Sequence, residues 1–195
     1  MSLSFHEFLH GYASYKLGDP TPKNSGRLTL NPLAHLDLIG SLVLLLTRRF
    51  GWAKPVPINP RYYKNPRKGM MIVGMAGPGA NLILALVFSA AIKLILNFSR
   101  YSLQGYAGNF VNMLLQFLVM AIMINLSLAF FNLIPVPPLD GSKILRGFLP
   151  AKFDKYFYKL EGPAGMVVLV ILLYTGVIWK IIGPIINFLL QILVY

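Results

Sequence analysis

Residues 6 to 10 read His-Glu-Phe-Leu-His, two imidazoles four positions apart with a carboxylate beside the first. On a helix that spacing stacks His6 and His10 one turn apart on one face, where both rings reach a single metal ion. A catalytic zinc takes three protein ligands and keeps a fourth position for water, with a carboxylate such as Glu7 placed to take that water's proton. The chain holds three His, six acidic residues and no Cys. The third ligand therefore comes from His35, Asp19, Asp37, Asp140, Asp154 or Glu161. Chance placement on a packed helix is the plain alternative, and scarcity weakens it: two of only three His fall at the metal spacing around one of two Glu. Leu3, Phe5, Phe8, Leu9 and Tyr12 make the same helix largely apolar, and ionisable groups on an apolar helix are costly and usually functional.

The elements that must position these residues belong to a membrane protein. The chain of 195 residues is 56% hydrophobic and only 12% charged, yet its formal net charge is +12. The basic residues lie between long apolar runs and are not arrayed along one amphipathic face, which excludes nucleic acid as a partner and names the lipid bilayer instead. Met70 to Ile92, Tyr101 to Leu139 and Gly162 to Trp179 carry no charge, and each reaches the roughly 18 to 20 residues that cross a bilayer core. No cleavable signal peptide is visible, because the metal motif falls where its apolar core would lie. Without Cys, neither disulfides nor thiolate ligands enter.

Taken in order, residues 1–17 form the first helix, closed by Gly18-Asp19-Pro20. Residues 26–32 suit a short extended segment ending in a turn at Asn31-Pro32. The apolar stretch Leu38 to Leu46, within a segment of about 38–50, is too short to span and is read as re-entrant or interfacial. Residues 54–68, with Pro55, Pro57, Pro60 and Pro66, form a loop at the membrane surface. The span 70–98 contains an interruption of small residues, 76–81, which lets helices approach closely in lipid. Within it Asn81 is the polar exception, available to a neighbouring helix or a substrate backbone. A span over 110–134 breaks at Asn132-Leu133-Ile134-Pro135-Val136-Pro137-Pro138-Leu139-Asp140-Gly141. Unwound backbone at membrane depth is tolerated where it is buried in protein or lines a cavity, and a lone Asp140 at that depth needs a partner, for which a metal cation is suited. A charged loop over 142–161 leads into a span over 162–179, and Gly183-Pro184 separates that from a last apolar segment, 181–195.

These residues resemble the site-2 protease family of intramembrane zinc metalloproteases, in its small form without PDZ or CBS domains. The resemblance covers most of the chain. It rests on His6-Glu7-x-x-His10, on Gly18-Asp19-Pro20-Thr21 with residues 26–37, on Gly51-Trp52-Ala53-Lys54-Pro55-Val56-Pro57, on Ala76-Gly77-Pro78 with Asn81, and on Asn132-x-x-Pro135-x-Pro137-x-Leu139-Asp140-Gly141. It implies Zn2+ held by His6, His10 and Asp140, Glu7 as catalytic acid/base, and Asn132 near the substrate carbonyl as an oxyanion donor. The sequence departs from the pattern at Ser142-Lys143, in the short segment before Arg48-Arg49, and in starting only five residues before His6. Met1 to Leu17 as a helix is about 25 Å long, short of the roughly 30 Å hydrocarbon core, so the N-terminus is expected to be incomplete.

The expected fold is an all-α polytopic membrane protein, a transmembrane helix bundle with one re-entrant or interfacial segment and a zinc site within the membrane. Residues 1–195 are expected to form a single membrane-embedded peptidase domain in a prokaryotic cell membrane. The expected function is cleavage of transmembrane segments of membrane proteins by zinc-activated water, with Glu7 as general acid/base. Two other classes compete: a transporter or ion pathway using the buried His and Asp, and a non-catalytic substrate-binding scaffold. A transporter would show paired repeats, and none is seen; a scaffold has no evident need of Glu7. Residues 18–68 carry nine Lys or Arg against two Asp, and 142–161 five against two acids, while 99–109 hold only Arg100, so the first two stretches are expected on the cytoplasmic side.

Overall fold

A computed structural model describes residues 1–47, 51, 53–98 and 106–194. The Arg48-Arg49 boundary, Trp52 and the loop around Arg100 lie outside the described residues. The rest folds as helices: α1 (Ser2–Lys16), α2 (Thr21–Asn24), α3 (Leu38–Thr47), α4 (Pro66–Phe98), α5 (Tyr106–Asn132), α6 (Asp140–Phe148), α7 (Asp154–Leu160), α8 (Pro163–Tyr174) and α9 (Val177–Val194). The fold class is the all-α membrane bundle expected. Helix α4, residues Gly108–Asn132 and helix α9 are each long and apolar enough to cross a bilayer; Ala151–Leu160 with Pro163–Tyr174, bent by 76°, would add a fourth as one broken span.

Helix α4 is the central element. Its buried positions Gly69, Val73, Gly77, Asn81, Ala85, Ser89 and Ile92 recur about every four residues, the spacing of one helix face. The upper half of that face meets α1 and α6. The lower half joins Leu118, Ile122 and Leu126 of α5, Leu169 of α8 and the stripe Ile178, Ile182, Ile186 of α9 in one apolar core. Large apolar side chains on the opposite faces, among them Ile83, Leu86, Phe117, Met120 and Phe188, remain more than half exposed. In water such a surface would aggregate; against lipid tails it is satisfied.

Contacts between α1 and α4 run in opposite order: Ser2 and His6 meet Asn81, whereas His10 meets Val73. The two helices are therefore antiparallel, and the chain between them leaves and returns on one side. Helix α3 is ten residues long, shorter than the spans. Its Leu38, Ile39, Leu45 and Leu46 are exposed, as an interfacial or re-entrant element would leave them.

The end of α1 is tied to the following loop through Asp19, which is fully buried. Asp19 Oδ2 accepts from Ser14 Oγ (2.7 Å) and from the Asn59 N–H (2.8 Å), and Oδ1 accepts from the Thr21 N–H (2.9 Å). Because the Ser14 proton is committed to Asp19, the Tyr63 hydroxyl donates to Ser14 Oγ (2.7 Å). The Tyr63 ring lies against Gly69, where a Cβ would fall 2.3 Å from it. Burial alone would raise the Asp19 pKa; hydrogen bonds from Asn59, Thr21 and Ser14 outweigh it and hold the carboxyl below its ordinary value.

Several boundaries differ from expectation. Residues 26–32 pair in no described strand, and the one described bridge joins Leu36 to Ala53; the turn expected at Asn31-Pro32 is present as a 3-10 turn over Pro32–His35, capped by Asn31 through the Leu33 N–H. Helix α4 starts at Pro66, which as a first-turn residue needs no N–H partner, and it continues through Pro78. The stretch 142–161 is two short helices and not a loop. Its charges pair across them, Arg146 with Asp154 and Glu161, and Arg67 of α4 with Asp154. Finally, the break after α8 falls at Gly176, whose φ of 70° ends the helix, and α9 runs through Gly183-Pro184. A positive-φ glycine ends a helix more surely than a proline that forfeits a single bond.

Two outcomes are expected. Cysteines introduced as Lys23→Cys and Lys64→Cys will react with an impermeant thiol reagent from the same side of the membrane; labelling from opposite sides would refute the antiparallel α1–α4 pair. Asp19→Asn will lower stability by about 2 kcal/mol at neutral pH. Since the folded pKa is depressed, the parent's advantage exists above the unfolded value and is lost as pH falls below about 4, so unfolding curves of variant and parent will converge in acid.

Candidate metal centre

Helix α1 presents His6 and His10 on one face, both buried. Their partners fix which nitrogen is free. His10 Nδ1 lies 2.7 Å from the Val73 carbonyl, which can only accept, so Nδ1 carries the proton and Nε2 a lone pair. His6 Nδ1–H donates to Asn81 Oδ1 (2.6 Å), which leaves His6 Nε2 in the same state.

Asp140 opens α6 directly after the broken segment and reaches the same point. Its Oδ2 lies 3.1 Å from His6 Nε2 and 2.9 Å from His10 Nε2, and the two Nε2 atoms are 2.9 Å apart. Asp140 Oδ1 accepts from Lys143 Nζ (2.8 Å), one helical turn on, which leaves Oδ2 as the oxygen offered to the pair. Three acceptor atoms thus face one another in a buried site, an arrangement that repels unless a cation sits among them. Zinc ligands at about 2.0 to 2.1 Å in a tetrahedral set lie about 3.3 Å from one another. The three edges are within a few tenths of that, and the N, N, O donor set suits zinc.

The room for such an ion comes from Gly77. A Cβ there would lie 2.3 Å from His10 Nε2 and 2.5 Å from His6 Nε2, so no side chain fits beside the triad. Val73, Gly77 and Asn81 stand four residues apart on α4, matching His10 and His6 on α1.

Of the six candidates for the third position, Asp140 alone meets the histidines. Asp19 is enclosed by its own donors; Asp37 Oδ1 caps α3 through the Gly40 N–H (2.8 Å); Asp154 and Glu161 pair with arginines; and His35 Nε2–H donates to the Thr29 carbonyl (2.8 Å). Glu7, half-buried, accepts from the Val56 N–H at Oε2 (3.0 Å). The loop carrying Val56 is held over α1 by packing at Gly11 and by the Lys54 N–H bond to His35 O (2.9 Å).

Two residues considered for substrate contact have partners within the protein. Asn81 is fully buried, with its oxygen on His6 and its amide on Asn125 Oδ1 (2.9 Å) and Ser2 O (3.3 Å), so of its two expected partners it meets the neighbouring helices. Asn132 donates to the Leu128 carbonyl of its own helix (2.9 Å), which closes the last turn of α5. Asn125, Lys143, Gly77 and the Val73 carbonyl escaped sequence reasoning. Lys143 was within reach: its i+3 spacing from Asp140 signifies once 140–148 is read as helix. For Asn125 the one available signal is its amide in the middle of an uncharged run.

Comparison with known proteins adds an independent line. The model of "Peptidase family M50" matches residues 103–175, a stretch that contains Asn132 and Asp140. A Bacillus subtilis protein named "Putative zinc metalloprotease YwhC" is 39% identical over 187 residues, covering 96% of this chain and 83% of that one. Rip2 of Mycolicibacterium smegmatis, named in the same terms, is 31% identical over 185 residues, covering 90% of this chain and 64% of that one. "Zinc metalloprotease MJ0392" of Methanocaldococcus jannaschii is 32% identical over 90 residues, 46% of this chain and 23% of that one. No solved structure matches.

Gly77→Ala is expected to weaken zinc binding at least about tenfold. Gly79→Ala, at a position with open space, is expected to leave it unchanged, as read by chelator competition on purified protein. Equal behaviour of the two variants would refute the crowding argument.

Proposed function

The chain belongs to peptidase family M50, the zinc metalloproteases that include the site-2 proteases, and is an integral multi-pass membrane protein; from that premise we propose that it cleaves transmembrane segments of other membrane proteins at a zinc ion held by His6 Nε2, His10 Nε2 and Asp140 Oδ2. The observation that carries this reading is the convergence of those three buried acceptors in a bundle whose outer faces are apolar. Zinc bound there supplies Lewis-acid activation of water at neutral pH.

The chain's own groups do the rest. Glu7, next in sequence to a ligand and held at one oxygen by the Val56 N–H, takes the water's proton and passes it to the departing amine. Lys143 pins one oxygen of Asp140 so that the other points at the histidines. The broken backbone between α5 and α6, Leu133 to Leu139, lies beside the site and offers peptide groups to a substrate helix that has locally unwound. The site draws on α1, α4 and α6 and the core on α4, α5, α8 and α9, so residues 1–195 act as one membrane-embedded peptidase domain, with the basic stretches 18–68 and 142–161 facing the cytoplasm.

Cleavage of a model transmembrane peptide by purified protein tests the reading, and a chelator is expected to abolish it. Glu7→Gln will retain zinc while cleavage falls at least about 100-fold. Asp140→Ala will lose zinc and His35→Ala will not. Cleavage by Glu7→Gln at the parent rate would refute the acid/base assignment, and full zinc in Asp140→Ala the ligand set.

A further inference from the structure

Beyond the ligands, α1, α4 and α5 share a buried hydrogen-bond chain that has a direction. Asn125, in the middle of α5 and fully buried, donates from Nδ2 to the Ala121 carbonyl (2.8 Å) and to Ser2 Oγ (2.9 Å). A carbonyl only accepts, so the amide nitrogen of Asn125 must face Ala121 and its oxygen must face Asn81. That oxygen in turn only accepts, so Asn81 must point its Nδ2 at Asn125 (2.9 Å) and its Oδ1 at His6 Nδ1 (2.6 Å). An oxygen at that place requires a proton on His6 Nδ1 and leaves the lone pair on Nε2, the form that binds a metal.

We propose that Asn125, acting through Asn81, is a positioning residue that sets the tautomer of His6 and thereby zinc affinity, with the Ala121 carbonyl of α5 as the fixed end of the relay. The inference rests on the assignment of His6 as a zinc ligand. Without Asn125, only the longer bond from Asn81 Nδ2 to the Ser2 carbonyl (3.3 Å) opposes a half-turn of the amide that would offer Nδ2 to the ring. His6 Nδ1 then becomes the acceptor, the proton moves to Nε2, and a protonated nitrogen does not coordinate. His10 needs no such relay, because its Nδ1 meets a backbone carbonyl directly.

Buried amides also hold membrane helices together, and a purely adhesive pair would make different predictions. The discriminating variant is Asn81→Asp, whose carboxylate has no donor end and keeps Nδ1 protonated whichever way it turns. In the full chain in detergent, with zinc affinity read by chelator competition, Asn125→Leu is expected to weaken binding about tenfold. In the Asn81→Asp background, where the ring meets an acceptor whichever way the carboxylate turns, adding Asn125→Leu is expected to cost less than about threefold, below the tenfold to hundredfold range of lost ligand support. An equal cost of Asn125→Leu in both backgrounds, or no cost in either, overturns the relay. Should Asn125→Leu fail to fold, nitrogen-15 spectra of histidine-labelled, chelator-treated parent decide the matter: a pyrrole-type His6 Nδ1 supports the inference and a pyridine-type Nδ1 overturns it. Parent protein that binds no zinc would instead remove the ligand assignment itself, a result distinct from failure of the relay.

Discussion

Three lone pairs pointed at one another at membrane depth are the constraint on which the remainder of the structure depends. His6 Nε2, His10 Nε2 and Asp140 Oδ2 lie 2.9 to 3.1 Å apart, with almost no solvent to screen their repulsion. Such a cluster persists only if a cation resolves it and the surroundings hold each donor in the right state. Each of the three side chains has its own support: a backbone carbonyl behind His10, an amide behind His6, and an ammonium on the far oxygen of Asp140. These outer partners determine which atom each ligand offers, and metal affinity depends on them nearly as much as on the ligands.

Helix α4 supplies two of those supports and the space between them from a single face. Val73, Gly77 and Asn81 do so through a carbonyl, an absent side chain and an amide, and the same stripe continues as Ala85, Ser89 and Ile92 into the apolar core. Small residues in membrane helices allow close approach, and here the approach has a chemical use, since α1 must come near enough for its imidazoles to reach α4 backbone. Packing and site construction are one operation on this helix. A side chain at Gly77 would collide with both imidazoles, whereas one at Gly79 meets open space.

The surface chemistry follows from the same solvent. Leu86, Phe117, Phe188 and their neighbours lie more than half exposed because lipid tails are as apolar as they are, while the polar groups turn inward and pair with one another. The basic residues outside the bundle gather in the stretches that flank it, where Arg146, Arg67, Asp154 and Glu161 form ion pairs between α4, α6 and α7. Tyr12 and Tyr15 under Lys16 and Lys23 are placed as amphipathic side chains are at an interface.

What the sequence determined by itself was whatever depends on near neighbours. The four-residue spacing of His6 and His10 placed them on one face, uncharged runs marked α4 and α5, and the proline-rich stretch before Leu139 marked the break that frees Asp140. It misread 142–161, whose charges looked like a loop and are ion pairs between short helices, and it weighed Pro184 above Gly176 as a helix end. The choice of Asp140 over Asp19, Asp37, Asp154, Glu161 and His35 rested on its place after an uncharged run and on family resemblance, because spacing along the chain says nothing about groups 130 residues apart. The tertiary structure alone decided that Val73 offers its carbonyl to His10, that Gly77 leaves room for an ion, and that Asn125 orients Asn81, which holds His6. Those facts depend on the register in which three helix faces meet. That register is set by the packing of the whole bundle and by no local pattern in any one helix.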